Sequence, residues 1–153
     1  MTTIVDVAAH ILRRYGSMTT MKLQKLAYYS QAEALSHRGT PLFDEDFQAW
    51  RGGPVCYDLF LRHRGRFIVA ATDLEGDSVH GLSSADASVV DRVCDRLSSC
   101  SGNELSERTH REDPWRDMRK GLSLSDRGSG VISKDAIRRF YRVNPVLDGA
   151  VRS

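Results

Sequence analysis

The 153-residue chain has the length of one ordinary domain and can bury roughly two-thirds of its unfolded surface, so it needs no staple to fold. Hydrophobic residues make up 41% and charged residues 27%, as in soluble globular proteins, and 22 basic against 20 acidic residues leave a net charge of +2. That near-balance argues against a polyanion coat. Eighteen of the 22 basic residues are arginine, the residue best suited to planar ion pairs and interfaces.

The three cysteines, Cys56, Cys94 and Cys100, are odd in number and show no C-x-x-C spacing. A disulfide framework and a zinc ribbon are excluded on that pattern, and a reducing cytosol is the expected compartment. No run of 18 apolar residues predicts a membrane span. The first residues, with Asp6 inside a short apolar segment and no leading basic stretch, do not read as a signal peptide.

A first helix is predicted from Thr3 to Tyr15, with Val7, Ala8, Ile11 and Leu12 at helical spacing and Gly16 as its stop. The second, about Thr20 to His37, carries Leu23, Leu26, Ala27, Ser30 and Ala34 on one face and Met21, Tyr28 and Leu35 on another. So wide an apolar arc predicts a central helix buried on two sides. Gln24 and Gln31 lie between the strips and are expected to bond neighbouring backbone, because a buried amide needs partners. Lys22, Lys25 and Tyr29 fall on the narrow polar arc.

Phe47 to Arg51 alternates as a strand, Gly52-Gly53 permits a tight turn, and Pro54 suits the first position of a helix running from about Val55 to Arg64. Phe67-Ile68-Val69 reads as a second strand pairing with the first, and residues 72–81 as a polar loop. Ser83 with Asp86 caps a helix over about 84–98, and Ser101 with Glu104 caps a shorter one ending near His110. Asp113 as cap and Pro114 as first residue open another helix, which holds Trp115 and Met118. After a loop from Gly121 to Gly130, Ser133 caps a last helix ending at Asn144-Pro145. The fold class is therefore α+β and mostly helical: six or seven helices around a buried central helix with a two- or three-strand sheet. Residues 1–145 are expected to form the domain and 146–153 a mobile tail.

Candidate chemistry is sparse. His110, Glu112 and Asp113 could form an acid-base or metal cluster, but carboxylates before a proline-started helix are natural caps and the spacing matches no metal motif. The other histidines show no i, i+4 pairing with one another, Cys56 and Cys94 lie on inward helix faces, and no nucleophile elbow or P-loop is present. No catalytic residue, metal site or cofactor is predicted. Arg62, Arg64 and Arg66 form the densest basic run, and Arg138, Arg139 and Arg142 the second. Either could meet phosphate, which keeps a nucleic-acid-binding regulator as the alternative reading. The commoner role for such runs is a solvated face or local ion pairing, with Asp73 and Glu75 as candidate partners.

Three stretches together resemble the Panacea domain of SocA-like antitoxins and phage-associated GepA-like proteins. They are Met21-Lys22-Leu23-Gln24-Lys25-Leu26-Ala27-Tyr28-Tyr29-Ser30-Gln31, Phe47-Gln48-Ala49-Trp50-Arg51-Gly52-Gly53-Pro54-Val55, and Glu104-Leu105-Ser106 through His110 to Pro114-Trp115. Val131-Ile132-Ser133 with a helix behind it is similar to the family's ending, so the likeness spans about residues 4–143. The resemblance implies a cytosolic, non-enzymatic antitoxin that binds a protein toxin encoded beside it and can deliver that toxin to an ATP-dependent protease. Leu23, Gln24, Leu26, Tyr28, Trp50, Gly53, Pro54, Val55, His110, Pro114 and Trp115 are then expected to specify the fold, with Trp50 beneath the Gly52-Gly53-Pro54 turn. Lys22, Lys25 and Tyr29 are expected at a contact surface, and Arg62, Arg64, Arg66, the 72–81 loop, Arg138 and Arg142 to carry partner specificity.

Overall fold

A computed structural model describes residues 2–76 and 80–148 of the chain. Residues 77–79 of the predicted polar loop and 149–153 of the predicted tail lie outside the described residues. Helix α1 (Ile4–Tyr15) opens on a reciprocal cap: Thr3 Oγ1 accepts from the Asp6 N–H and the Asp6 carboxylate accepts from the Thr3 N–H. Its apolar face packs on α2 (Thr20–Glu33), whose residues from Leu23 to Glu33 are all buried. A wide helical turn, Ala34–Arg38, continues α2 and closes when the Gly39 N–H reaches the Ala34 carbonyl. Helices α1, α4 (Ser84–Leu97), α5 (Gly102–His110) and α7 (Lys134–Val143) all contact α2, which is the axis of the core.

Five short strands complete the described fold. β2 (Phe47–Trp50) is the middle of a three-stranded antiparallel sheet, with β3 (Gly53–Val55) on one side and β5 (Val131–Ile132) on the other. β1 (Met18–Thr19) pairs separately with β4 (Ile68–Val69). The strand expected at 67–69 therefore exists, but its partner is the segment before α2 and not residues 47–51.

Pro54 does not begin a helix. It lies on β3 opposite Ala49, whose own N–H points the other way, to the Gly130 carbonyl. That position of the ladder asks no N–H of β3, so proline is tolerated. Helix α3 starts later than predicted, at Tyr57, and ends at His63. Cys56 stands at its N-cap without a side-chain cap, and Gln24 supplies the missing order: its Oε1 accepts from the Cys56 N–H at 2.9 Å and its Nε2 donates to the Cys56 carbonyl at 3.2 Å. Gln31 repeats the device, donating to the Phe43 carbonyl and accepting from the Leu42 N–H. Both amides tie backbone to α2, as their position between apolar strips predicts.

Helix α6 (Asp113–Met118) begins one residue before the predicted start, so Glu112 takes the cap position and Asp113 pairs with Arg116. Ser83, Ser101 and Ser133 cap α4, α5 and α7 as their sequences predict. Beyond α7 the chain turns back onto the core: Val146 is buried, its carbonyl accepts from Arg108, and the Leu147 carbonyl accepts from Arg96. Residues 146–148 thus lie against the core.

Candidate partner-binding site

The first turns of α2, the β2–β3 hairpin and α3 enclose a cleft of about 440 Å³, closed on its remaining side by Arg127 from the 121–130 loop. Trp50 forms its wall. The indole N–H donates to Gln48 Oε1 at 2.7 Å, the ring meets Phe60 edge-on at 5.0 Å, and the Arg127 guanidinium lies 4.7 Å from its centroid. Trp50 thus packs toward α3 and not beneath the glycine turn. Tyr57 stacks on Phe60 at 6.0 Å and, at 42% exposure, extends the aromatic lip outward together with Leu61 at 45%. Arg119 holds the loop that carries Arg127: buried beside Trp115, it donates to the carbonyls of Ala49, Ser123, Asp126 and Arg127. One guanidinium spread over four carbonyls fixes a loop with little secondary structure of its own.

Lys25 forms the cleft floor. Its side chain is only 2% exposed, and Nζ donates to the Pro54 carbonyl at 2.9 Å. Burial lowers its ammonium from the ordinary value to about 7. Gly53 makes room for it: the backbone there has φ +121°, and a Cβ would stand 2.6 Å from Lys25 Cε and 2.9 Å from Thr109 Oγ1. His63 completes the floor. The Gln24 amide is oriented by its two bonds to Cys56, so Nε2 donates to His63 Nε2 at 3.0 Å and that ring nitrogen must be the acceptor. Burial, and next the Lys25 charge, hold His63 below its ordinary pKa, consistent with a neutral ring. His110 is lowered for the same two reasons; it stacks on Trp115 at 4.1 Å, and its Nε2 is buried without a partner.

A second buried polar cluster lies one turn further along α2. Tyr29 donates to Glu112 Oε1 at 2.6 Å, Tyr141 donates to the same oxygen at 2.8 Å, and Arg108 pairs with Glu112 Oε2 at 3.2 Å. The Arg108 guanidinium also covers the Tyr29 ring at 4.5 Å. Burial, ahead of the nearby Glu112 charge for Tyr29 and of its neighbouring tyrosines for Tyr141, pushes both phenols well above their ordinary range, so they serve as donors at neutral pH. The suspected His110, Glu112 and Asp113 set therefore diverges in three directions: onto Trp115, into this cluster, and out to Arg116.

Of the residues expected at a contact surface, Lys22 is half-buried and donates to the Ser98 carbonyl, whereas Lys25 and Tyr29 are buried outright. The helical period gives α2 an outer arc, but α4, α5, α7 and β3 cover it, and a long stem or ring whose polar tip is bonded can be buried there. Arg62, Arg64 and Arg66 are exposed at and just beyond the end of α3 and none of them lines the cleft; Arg66 pairs with Asp73 at 3.3 Å. Arg138 and Arg139 pair with Asp135, and Arg142 is exposed; α7 contributes nothing to the cleft, and Arg139 lines a separate groove between α6 and α7. Leu23, Leu26, Tyr28, Pro114 and Trp115 are buried, and Val55 forms cleft wall. Sequence reasoning missed Tyr57, Arg51 and Arg127 as rim residues. The i, i+3 spacing of Tyr57 and Phe60 on α3 was the available signal for the lip.

All three cysteines are buried and free, and burial raises their thiols, Cys56 to about 11 and Cys94 to about 12. Such thiols are poor nucleophiles at neutral pH. Among the described residues no helix is long and apolar enough to cross a membrane, and no three His, Cys, Asp or Glu side chains gather as a metal site.

Residues 23–116 match the family described as antitoxin SocA-like, Panacea domain. The matched stretch runs from Leu23 on α2 to Arg116 on α6 and includes the β2–β3 hairpin, α3 and the His110 to Trp115 element; the ending at 131–133 falls beyond it. No curated protein and no solved structure matches the chain.

Proposed function

Because the chain belongs to the SocA-like antitoxin, Panacea domain family, we propose that it neutralises a protein toxin, encoded by the adjacent gene, through stoichiometric contact in the reducing cytosol. Family membership is the observation that carries this reading. The cleft and its lip supply a suitable surface. Tryptophan, tyrosine and arginine are the residue types that most often anchor protein interfaces, and Trp50, Tyr57 and Arg127 stand together there around a concave centre. Lys22 at the start of α2 and the exposed Arg62, Arg64 and Arg66 lie outside the cleft lining and would serve as additional contacts only to a partner that extends beyond it. Arg138 and Arg142 on α7 form a separate candidate patch for partner contact, away from the cleft.

The nucleic-acid alternative gains little, because Arg66, Arg138 and Arg139 are each tied to an aspartate. Co-expression with the adjacent gene product tests the antitoxin reading. The toxin alone should arrest growth, and this protein should restore growth and co-purify with it; toxicity that persists with no complex formed would refute the proposal. Toxin half-life with and without an ATP-dependent protease decides whether the bound toxin is delivered to it.

A further inference from the structure

The cleft has a polarity that the near-neutral chain as a whole lacks. Its lining includes three basic side chains, Lys25, Arg51 and Arg127, and no aspartate or glutamate. Lys25 is the unusual member. Its ammonium is removed from water yet bonded to a single neutral carbonyl, that of Pro54, and among the described residues no carboxylate pairs with it. Burying an ammonium without a counter-charge is costly, so burial loosens the Lys25 proton near neutral pH, and a carboxylate entering the cleft would restore the charge by supplying its partner. The cleft is the open side of this site, and its wall of Trp50 and Phe60 is apolar.

We infer that the cleft receives a carboxylate carried on the surface of the toxin, seated on the Lys25 ammonium, with the neighbouring apolar side chain against Trp50 and Phe60. This rests on the antitoxin reading. A protein occupant is favoured over a free small acid because the apolar lip continues past the cavity through the exposed Tyr57 and Leu61, more surface than a small acid would cover. Arg51 and Arg127 at the mouth steer an acidic partner and repel a basic one.

Two arms test the site and its occupant. In the first, the isolated protein is titrated with phenylacetate and with its neutral amide, phenylacetamide, and followed by ¹H–¹⁵N NMR. Phenylacetate should shift the Trp50 indole, Gly52 and the Gln24 side-chain amide, and should bind about tenfold or more tightly than the amide, because a charge-assisted bond is at stake. Lys25→Met and Met21→Glu should each abolish the response. An equal response to acid and amide, or a response that survives in both variants, overturns the site. Met21 is an exposed rim residue, so Met21→Glu decides the matter by itself if Lys25→Met fails to fold.

In the second arm the toxin from the adjacent gene is bound to wild type and to both variants. The inference expects a loss of about tenfold or more in affinity with unchanged circular dichroism. Undiminished toxin binding by the variants overturns the inference and leaves the antitoxin reading standing. No toxin binding by wild type refutes the antitoxin reading itself. Phenylacetate binding in that case makes a free acid the occupant and overturns the assignment to the toxin.

Discussion

Lys25 and Tyr29 sit one turn apart on the same stripe of α2, and both end in a buried polar atom, yet the two surroundings are opposites. Around Tyr29 the charges close on themselves: Glu112 accepts hydrogen bonds from two phenols and forms the Arg108 ion pair, and α2, α5 and α7 are held together through it. Around Lys25 the charge stays open, with one carbonyl for the ammonium and an aqueous cleft beside it. A compensated buried charge acts as structure. An uncompensated one beside a cleft is offered to whatever enters. The contrast explains how one helix, buried along nearly its whole length, both organises the core and reaches the candidate interface.

The largest expected effect breaks the closed side. Glu112→Ala leaves Arg108, with only 4% of its side chain exposed, without its counter-charge and Tyr29 without its acceptor, while Tyr141 is left with the Tyr28 hydroxyl alone. Urea denaturation should show a loss of about 3–5 kcal/mol, with Glu112→Gln losing less because it keeps an acceptor. The next largest falls between the two regions. Gly53→Ala places a Cβ against Lys25 and Thr109 at a left-handed φ that side chains rarely adopt, and should cost about 2–3 kcal/mol by the same measurement.

The smallest sharpens the open side. The unfolded Lys25 keeps its proton up to its ordinary value of 10.5, whereas the folded group releases it near 7. Between these values the unfolded state binds more protons, so stability rises with pH, by at most about 1.4 kcal/mol per unit. Cys56 and Cys94, with folded thiols pushed up to about 11 and 12, act in the opposite sense once pH passes the unfolded thiol range near 9. The histidines facing Lys25, His63 and His110, are both held below their ordinary value, so where the unfolded imidazoles are still partly protonated they add a rise of the same sign, which fades as pH climbs. The rise should therefore be carried chiefly by Lys25 from about pH 7.5 to about 8.5. Lys25→Met should flatten it in denaturant midpoints measured across that window; an unchanged slope would assign the rise to another group.

Much of the fold was legible because its causes are local. The reciprocal caps at Thr3 with Asp6 and at Ser101 with Glu104 span three residues, and the spacing of Val89, Val90, Val93 and Leu97 needs only a helical period. The candidate site was legible in part. Trp50, Gly53 and Gln24 were singled out, but Arg127 was not, because no local pattern shows that a loop held by Arg119 brings it over Trp50. Pro54 was misplaced for a related reason: the dipeptide Gly-Pro suits both a helix start and a hairpin strand, and only the N–H of Ala49 turning toward Gly130 decides between them.

The sequence by itself determined the mostly helical α+β class, the helix boundaries set by caps and glycines, the clamp role of Gln24 and Gln31, and inert cysteines. Each follows from short-range geometry or from the rule that a buried amide must be bonded. Tertiary structure decided which strand pairs with which, that Lys25 and Tyr29 are inside, and that one buried charge is matched while its neighbour is not. Those outcomes depend on partners far away in sequence, Glu112 lying 83 residues from Tyr29 and Pro54 29 residues from Lys25. A helical wheel records the face on which a side chain lies. What covers that face is a property of the packed chain.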